Sequence, residues 1–410
     1  MTHRYTIRSL VYSLLLALIC CFMQGCRDKG EGGKADPIPP VLENRQTLLL
    51  YLPWTGPTNN LISFFRTNIS DMENAVAAGV LENERVLVYL ASTATHGQLF
   101  EIIRNETGGT ERVILEEYEN PDYTTVEHLS NLLSDMKQHA PAQEYAMAIG
   151  SHGKGWIPVA TNKTRDVSAS IIQNYWDGSG KLPTRYFGGT SSTYQTDIGT
   201  LREAISQSGI TMEFILFDAC YMSCIEVAYE LRHVCRHLIA STCEIMGDGQ
   251  PYRVTASHMF GKEVDYVGIA NSFYDFYMNS YSPYATLATI VTEELDSLAA
   301  IMKSINARYT FPTDSLPKLQ KFDPYTPAIF FDFGHYVNIM CKDRDLLTRF
   351  NEQLERTVPG ESAVHTPKYY SMLDGRTYPI THFSGVTTSD PSRNSECATL
   401  TETSWYKATH

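Results

Sequence analysis

The 410-residue chain carries 43% hydrophobic and 11% aromatic residues, which excludes a disordered polymer and fits one large elaborated domain or two smaller ones. Its formal net charge of −13 excludes a phosphate-backbone partner, so no nucleic acid is expected.

The first 26 residues are not fold. Two arginines without an acid precede an almost wholly apolar run from Leu10 to Met23, too short to span a membrane and remain there. That pattern is a signal peptide. "MQGC" at 23–26 resembles a bacterial lipobox, whose cysteine becomes the lipid-modified first residue, although Met23 and Gln24 depart from the preferred residues. The expectation is an exported protein, lipid-anchored through Cys26 in the bacterial cell envelope, periplasmic or surface-exposed. Residues 27–44, rich in Gly, Pro and charge, read as a tether.

Strands and helices then alternate. Short apolar runs at 47–54, 85–92, 112–118, 144–151, 212–219 and 236–242 predict six strands, several without a polar face, as in a parallel sheet covered on both sides. Helical stretches fall near 58–79, 123–139, 196–208 and 223–234. This alternation predicts an α/β sandwich with a mostly parallel six-stranded sheet over residues 45–258. A polar insert at 161–195 interrupts it, and inserts of that length in a compact domain are usually functional or mobile. After about residue 258 longer helical periods follow, near 263–280, 283–306 and 343–357, and predict a C-terminal subdomain over 259–410.

Ligands of such sheets bind beyond the carboxyl ends of the strands. Two of those ends carry chemistry. "AMAIGSHGKGW" (146–156) places His152 between glycines, and "FILFDACYMSCIEVAYEL" (214–231) turns at Cys220 from a strand toward a helix. A P-loop is excluded, because Ala148 and Gly155 stand where glycine and a hydroxyl residue are required. No His-Glu-x-x-His helix or paired CxxC marks zinc, and no G-x-S-x-G marks a serine hydrolase. Ser223 and Glu226 fit a capping box that would start a helix just after Cys220 and expose its thiol to the positive end of the helix dipole. A cysteine there, with a histidine across the cleft, suits nucleophilic catalysis. The backbone N–H groups of Gly153 and Cys220 are the natural oxyanion donors. The bland reading is a buried apolar cysteine and a loop histidine, and a second His-Gly pair at His96 shows how common that dipeptide is.

"GSHGKGW" and "FDACYMSCIEVAYEL" resemble the His-Gly and Asp-Ala-Cys blocks of the clostripain family of cysteine peptidases, relatives of caspases and legumains. The resemblance covers roughly residues 45–258, with an echo in "SWYKAT" near the C-terminus. It implies a caspase-like αβα sandwich, with Cys220 as nucleophile and His152 as general base and acid, and it demotes His96 to a loop histidine. It also implies cleavage of peptides or proteins after Arg or Lys, and self-cleavage between the histidine and the cysteine, where the insert offers Lys163, Arg165, Lys181 and Arg185. One stretch departs from the family pattern. In "STCEIMGDGQPY" Cys243 stands where an acid is usual, and Met246 and Gln250 replace proline and tryptophan.

Asp218 lies two residues before Cys220, so strand alternation projects both to the same side, where the residue before the scissile bond would reach. The family's equivalent aspartate lines that pocket. Asp248 is the candidate second acid, with Glu244 behind it. The bland reading is that Asp218 merely ties down the turn by accepting backbone N–H groups. No cofactor is required by this chemistry; some relatives use calcium, and no calcium loop is located in the sequence. The alternative function is a catalytically idle surface lipoprotein that uses the sandwich clefts as a binding module.

Overall fold

A computed structural model of the chain describes residues 44–57, 60–159 and 187–410. The signal peptide with Cys26, the tether up to residue 43, and the insert through residue 186 with its four basic residues lie outside the described residues.

The strands of the main sheet run in chain order as β1 (Gln46–Leu52), β2 (Glu84–Thr93), β3 (His96–Arg104), β4 (Thr110–Glu119), β5 (Glu144–Gly150), β6 (Met212–Asp218), β7 (Cys235–Ala240) and β8 (Thr286–Val291). They are followed by β9 (Phe331–Asp332), which pairs elsewhere, and β10 (Ala363–His365), which joins the main sheet. The spatial order is β10-β8-β7-β6-β5-β1-β2-β3-β4, and the neighbours from β7 through β2 are parallel. The mostly parallel centre agrees with the sequence reading. The strand count does not: among the described residues nine strands form the sheet, not six.

Each additional strand has a physical reason. β3 follows β2 through a tight turn and pairs antiparallel with it, alternating buried and half-buried positions near the sheet edge. β8 falls inside the span read as a helix at 283–306. Its sequence "TLATIV" is rich in β-branched residues, which fit a pleated and buried surface, and it pairs antiparallel with β7. β10 then pairs with β8, so residues 259–410 add two strands to the main sheet. The described residues form one compact unit.

Two layers of helix cover the sheet. In chain order these are α1 (Ile62–Ala77), α2 (Val126–His139), α3 (Ile198–Ser208), α4 (Ile225–Leu231), α5 (Tyr252–Met259), α6 (Tyr266–Met278) and α7 (Leu295–Asn306). Strand β1 shows why both layers exist. Leu48, Leu50 and Leu52 share one core with Phe65, Ile69 and Met72 of α1 and with residues of α5 and α6. Leu49 and Tyr51 point the other way, into a core with Leu129, Leu132 and Met136 of α2 and with residues of α3, α4 and α7. Side chains alternate across a strand, so a continuous apolar run needs cover on both faces. Each fully buried leucine contributes about 1.5–3 kcal/mol. No helix among the described residues is long and apolar enough to cross a membrane.

The chain lays down β1 and β2 in one direction and returns with β5 on the other side of β1. The strand order therefore reverses between β1 and β5, which opens a crevice at their carboxyl ends.

Candidate active site

Strands β5 and β6 end together. Gly150 and Asp218 are partners in the parallel ladder, and the Ser151 N–H donates to the Asp218 carbonyl at 3.4 Å. His152 and Cys220 each lie two residues beyond that pair. The histidine loop is held on both sides: the His152 N–H donates to the Gly188 carbonyl at 3.2 Å, and the Ser151 hydroxyl donates to the His152 carbonyl at 2.9 Å. The last part of the insert thus lies on the histidine loop, and its Thr190 N–H donates to the carbonyl of Thr55, just beyond β1.

Glycine at 153 is dictated by the cysteine turn. A Cβ there would lie 2.3 Å from the Cys220 carbonyl oxygen and 2.9 Å from the Cys220 nitrogen. The two backbones therefore abut, which brings both proposed oxyanion donors into one place.

The cysteine turn runs beside the segment after β7, which extends the β6–β7 pairing past the strands. Tyr221 N–H donates to the Cys243 carbonyl at 3.0 Å, and Ser223 N–H to the Ser241 carbonyl at 2.9 Å. Tyr221 adopts φ +59°, a left-handed conformation unusual for an aromatic residue. The surroundings enforce it. The Tyr221 ring stacks on Phe330 at 4.8 Å, and its hydroxyl donates to Glu244 at 2.7 Å.

The expected capping box does not form. The Ser223 hydroxyl donates to the Gly385 carbonyl at 2.6 Å, while Glu226 accepts from the Ser389 N–H at 3.1 Å and the Thr388 hydroxyl at 3.2 Å. Helix α4 begins at Ile225, so Tyr221–Cys224 separate it from Cys220 and the dipole effect expected on the thiol falls away. A closer group replaces it. The Ile245 N–H donates to Cys220 Sγ at 3.3 Å, and such a donor favours negative charge on sulfur. Burial pushes Cys243 up to about 12 and Cys397 up to about 11, and raises Cys224 and Cys235 further, which keeps them protonated and inert.

The candidate pocket acids occupy three different settings. Asp218 is buried and accepts the Gln250 N–H at 3.0 Å. Glu244 is turned inward, where it accepts from Tyr221, from the Ser371 hydroxyl at 2.7 Å and from the Met372 N–H at 2.8 Å. It braces the residue after Cys220. Asp248 is exposed. His96, at the start of β3, pairs with Glu119 at 3.2 Å on the outer strands of the sheet.

Sequence reading missed how the loop carrying Asp248 is held. Asn68 of α1 donates to the Asp248 carbonyl at 3.0 Å and to the Gln250 carbonyl at 3.4 Å. The Tyr277 hydroxyl of α6 donates to the Gly249 carbonyl at 2.8 Å. Nothing local to Asn68 or Tyr277 announces this, since the partners are 180 and 28 positions away. Among the described residues, no group of three or more His, Cys, Asp or Glu side chains is gathered to hold a metal ion.

Residues 53–310 match the family model of the clostripain family. The chain belongs to that family and is a cysteine peptidase. Its fold agrees with solved clostripain-family structures. A secreted C11 cysteine protease from Bacteroides thetaiotaomicron, iotapain, is 46% identical over 90% of this chain and 100% of its own, with a TM-score of 0.81. A clostripain from Bacteroides thetaiotaomicron in complex with the peptide inhibitor BTN-VLTK-AOMK is 51% identical over 55% of this chain and 99% of its own, with a TM-score of 0.53. An inactive zymogen C11 protease from Parabacteroides distasonis is 26% identical over 91% of this chain and 99% of its own, with a TM-score of 0.73. No curated protein matches. The clostripain-family match includes both strand ends, so His152 and Cys220 lie inside the shared region.

Proposed function

We propose that the protein is an exported, lipid-anchored cysteine endopeptidase that cleaves after Arg or Lys through a His152–Cys220 dyad. The observation that carries this reading is the paired end of β5 and β6, with an N–H group donating to Cys220 Sγ. His152 takes the thiol proton, and the thiolate attacks the scissile carbonyl. The N–H groups of Gly153 and Cys220 receive the oxyanion. The tetrahedral intermediate collapses to a thioester as the imidazolium protonates the departing amine. Water, deprotonated by His152, hydrolyses the thioester and restores the thiol. This chemistry needs no metal or organic cofactor; assays with and without a chelator test for calcium dependence.

Asp218 is the acid that meets the basic side chain, with its orientation fixed by the Gln250 N–H. Arginine pairs with such a carboxylate through two donors and lysine through a point charge. The relative bound to BTN-VLTK-AOMK supports this choice, because its peptide ends in K. Exposed Asp248 adds negative potential at the rim, and Glu244 supports from behind.

Both His152 and Cys220 are buried, so a substrate needs an opening. Cleavage within 161–195, at Lys163, Arg165, Lys181 or Arg185, is the proposed route, and Cys220→Ala protein is then expected to stay a single chain.

The test is hydrolysis of fluorogenic peptides ending in Arg or Lys by the mature chain. Cys220→Ala and His152→Ala are expected to abolish turnover with unchanged far-UV circular dichroism, and His96→Ala to retain it. Loss in His96→Ala with activity in His152→Ala overturns the base assignment. No turnover by the wild-type protein supports the idle binding module instead.

A further inference from the structure

The segment 384–396 lies outside the residues matched by the family model, yet it touches both loops of the site. On the cysteine side, Thr387 N–H donates to the Ser223 carbonyl at 3.0 Å, and β11 (Thr387–Thr388) bridges to Cys224. On the histidine side, Glu396 pairs with Lys154 at 2.9 Å. One residue does both. Ser389 is fully buried; its N–H donates to Glu226, just beyond the cysteine turn, at 3.1 Å. Its hydroxyl oxygen accepts the Trp156 indole N–H, four residues past His152, at 2.8 Å.

We propose that Ser389 is a positioning residue that fixes the separation of the histidine loop and the cysteine turn. The inference rests on the dyad reading above. The physical ground is that β5 and β6 stop at Gly150 and Asp218, and beyond them ladder hydrogen bonds no longer set the spacing. A nucleophile and base displaced by about 1 Å lose on the order of a hundredfold in rate. Ser389 supplies a buried cross-link between the histidine loop and helix α4, which follows the cysteine turn, and the Gly153–Cys220 backbone contact limits how far the two loops can close.

The experiment is a double-mutant cycle in the full mature chain. Ser389→Ala removes the acceptor and Trp156→Phe removes the donor of one hydrogen bond. Each is expected to lower kcat about tenfold with little change in KM. The double variant should show nearly the same loss as either single one, because both remove the same contact. A lowered thermal midpoint with unchanged kcat makes Ser389 merely structural and overturns the proposal. Multiplicative losses in the double variant overturn it as well. If Ser389→Ala fails to fold, Trp156→Phe alone decides, and unchanged kcat in that variant refutes the role. Activity persisting in Cys220→Ala would instead refute the dyad itself.

Discussion

Gly150 and Asp218 are the last partnered residues of β5 and β6, and His152 and Cys220 each follow that pair by two residues. Parallel strands make this possible, because neighbours that run the same way deliver their following loops to the same end. The sheet thereby brings two sequence-distant blocks together.

Gly153 tests the close approach of those blocks. With 2.3 Å between an added Cβ and the Cys220 carbonyl oxygen, Gly153→Ala must push the two backbones apart. The expected result is a loss of about a hundredfold in kcat, the scale of a lost oxyanion donor, with a folded circular dichroism spectrum. Near-wild-type kcat would show that the contact is relaxed in solution.

The proposed pocket acid is tested by two substitutions. Asp218→Asn is expected to lower kcat/KM for Arg substrates by roughly ten- to a hundredfold, with much less effect on thermal stability. Asn68→Ala releases the Asp248 and Gln250 carbonyls, and through Gln250 the orientation of Asp218. A loss of about tenfold in kcat/KM for basic substrates is expected. Efficient cleavage after Asp or Leu by the unaltered enzyme would show that the pocket is not acidic.

The buried carboxyls give the fold a pH dependence of known sign. Burial pushes Glu226 up to about 7, and Asp323 likewise, despite the backbone N–H groups that each accepts. Their folded values lie above the ordinary carboxylate range, so the folded chain holds these protons more tightly than the unfolded one. Stability is therefore complete below the ordinary value, declines as pH rises, and is lowest above about 7, by on the order of 3 kcal/mol for each group. Glu213, held down to about 2 chiefly by its hydrogen bond with His237, acts in the opposite sense at lower pH. The thermal midpoint should fall between pH 5 and 8, and Glu226→Gln should flatten part of that fall. Parallel curves for both proteins would remove Glu226 from the effect.

How far the sequence speaks is clearest at particular residues. The parallel strands were legible because a strand buried on both faces, such as "TLLLYL", has no polar register. Strand β3 was not, because a strand that alternates buried and half-buried positions beside the edge strand carries a weaker signal. The positions of His152 and Cys220 just past two strand ends were legible, with Asp218 closing the second strand. The Ser223–Glu226 capping box failed for a tertiary reason: the Ser223 hydroxyl finds the Gly385 carbonyl 162 positions later, and Glu226 finds Thr388 and Ser389. The Ile245 N–H at Cys220 Sγ is also a contact between loops, and no local motif encodes it.

Anchoring is tested at Cys26. Cys26→Ser is expected to move the protein from the membrane to the soluble fraction, since a multiply acylated cysteine binds far more stably than a single chain. Mature protein that begins downstream of Cys26 and carries no lipid by mass spectrometry would overturn this.

The most direct test of the dyad is covalent capture of the nucleophile. The mature chain is incubated with a biotinylated peptidyl acyloxymethyl ketone that places lysine next to the ketone, and the adduct is mapped by mass spectrometry. The expected result is one adduct, on Cys220, formed much more slowly in His152→Ala. An adduct on Cys243 or any other thiol, or a Cys220→Ala protein that still cleaves after lysine, would contradict it.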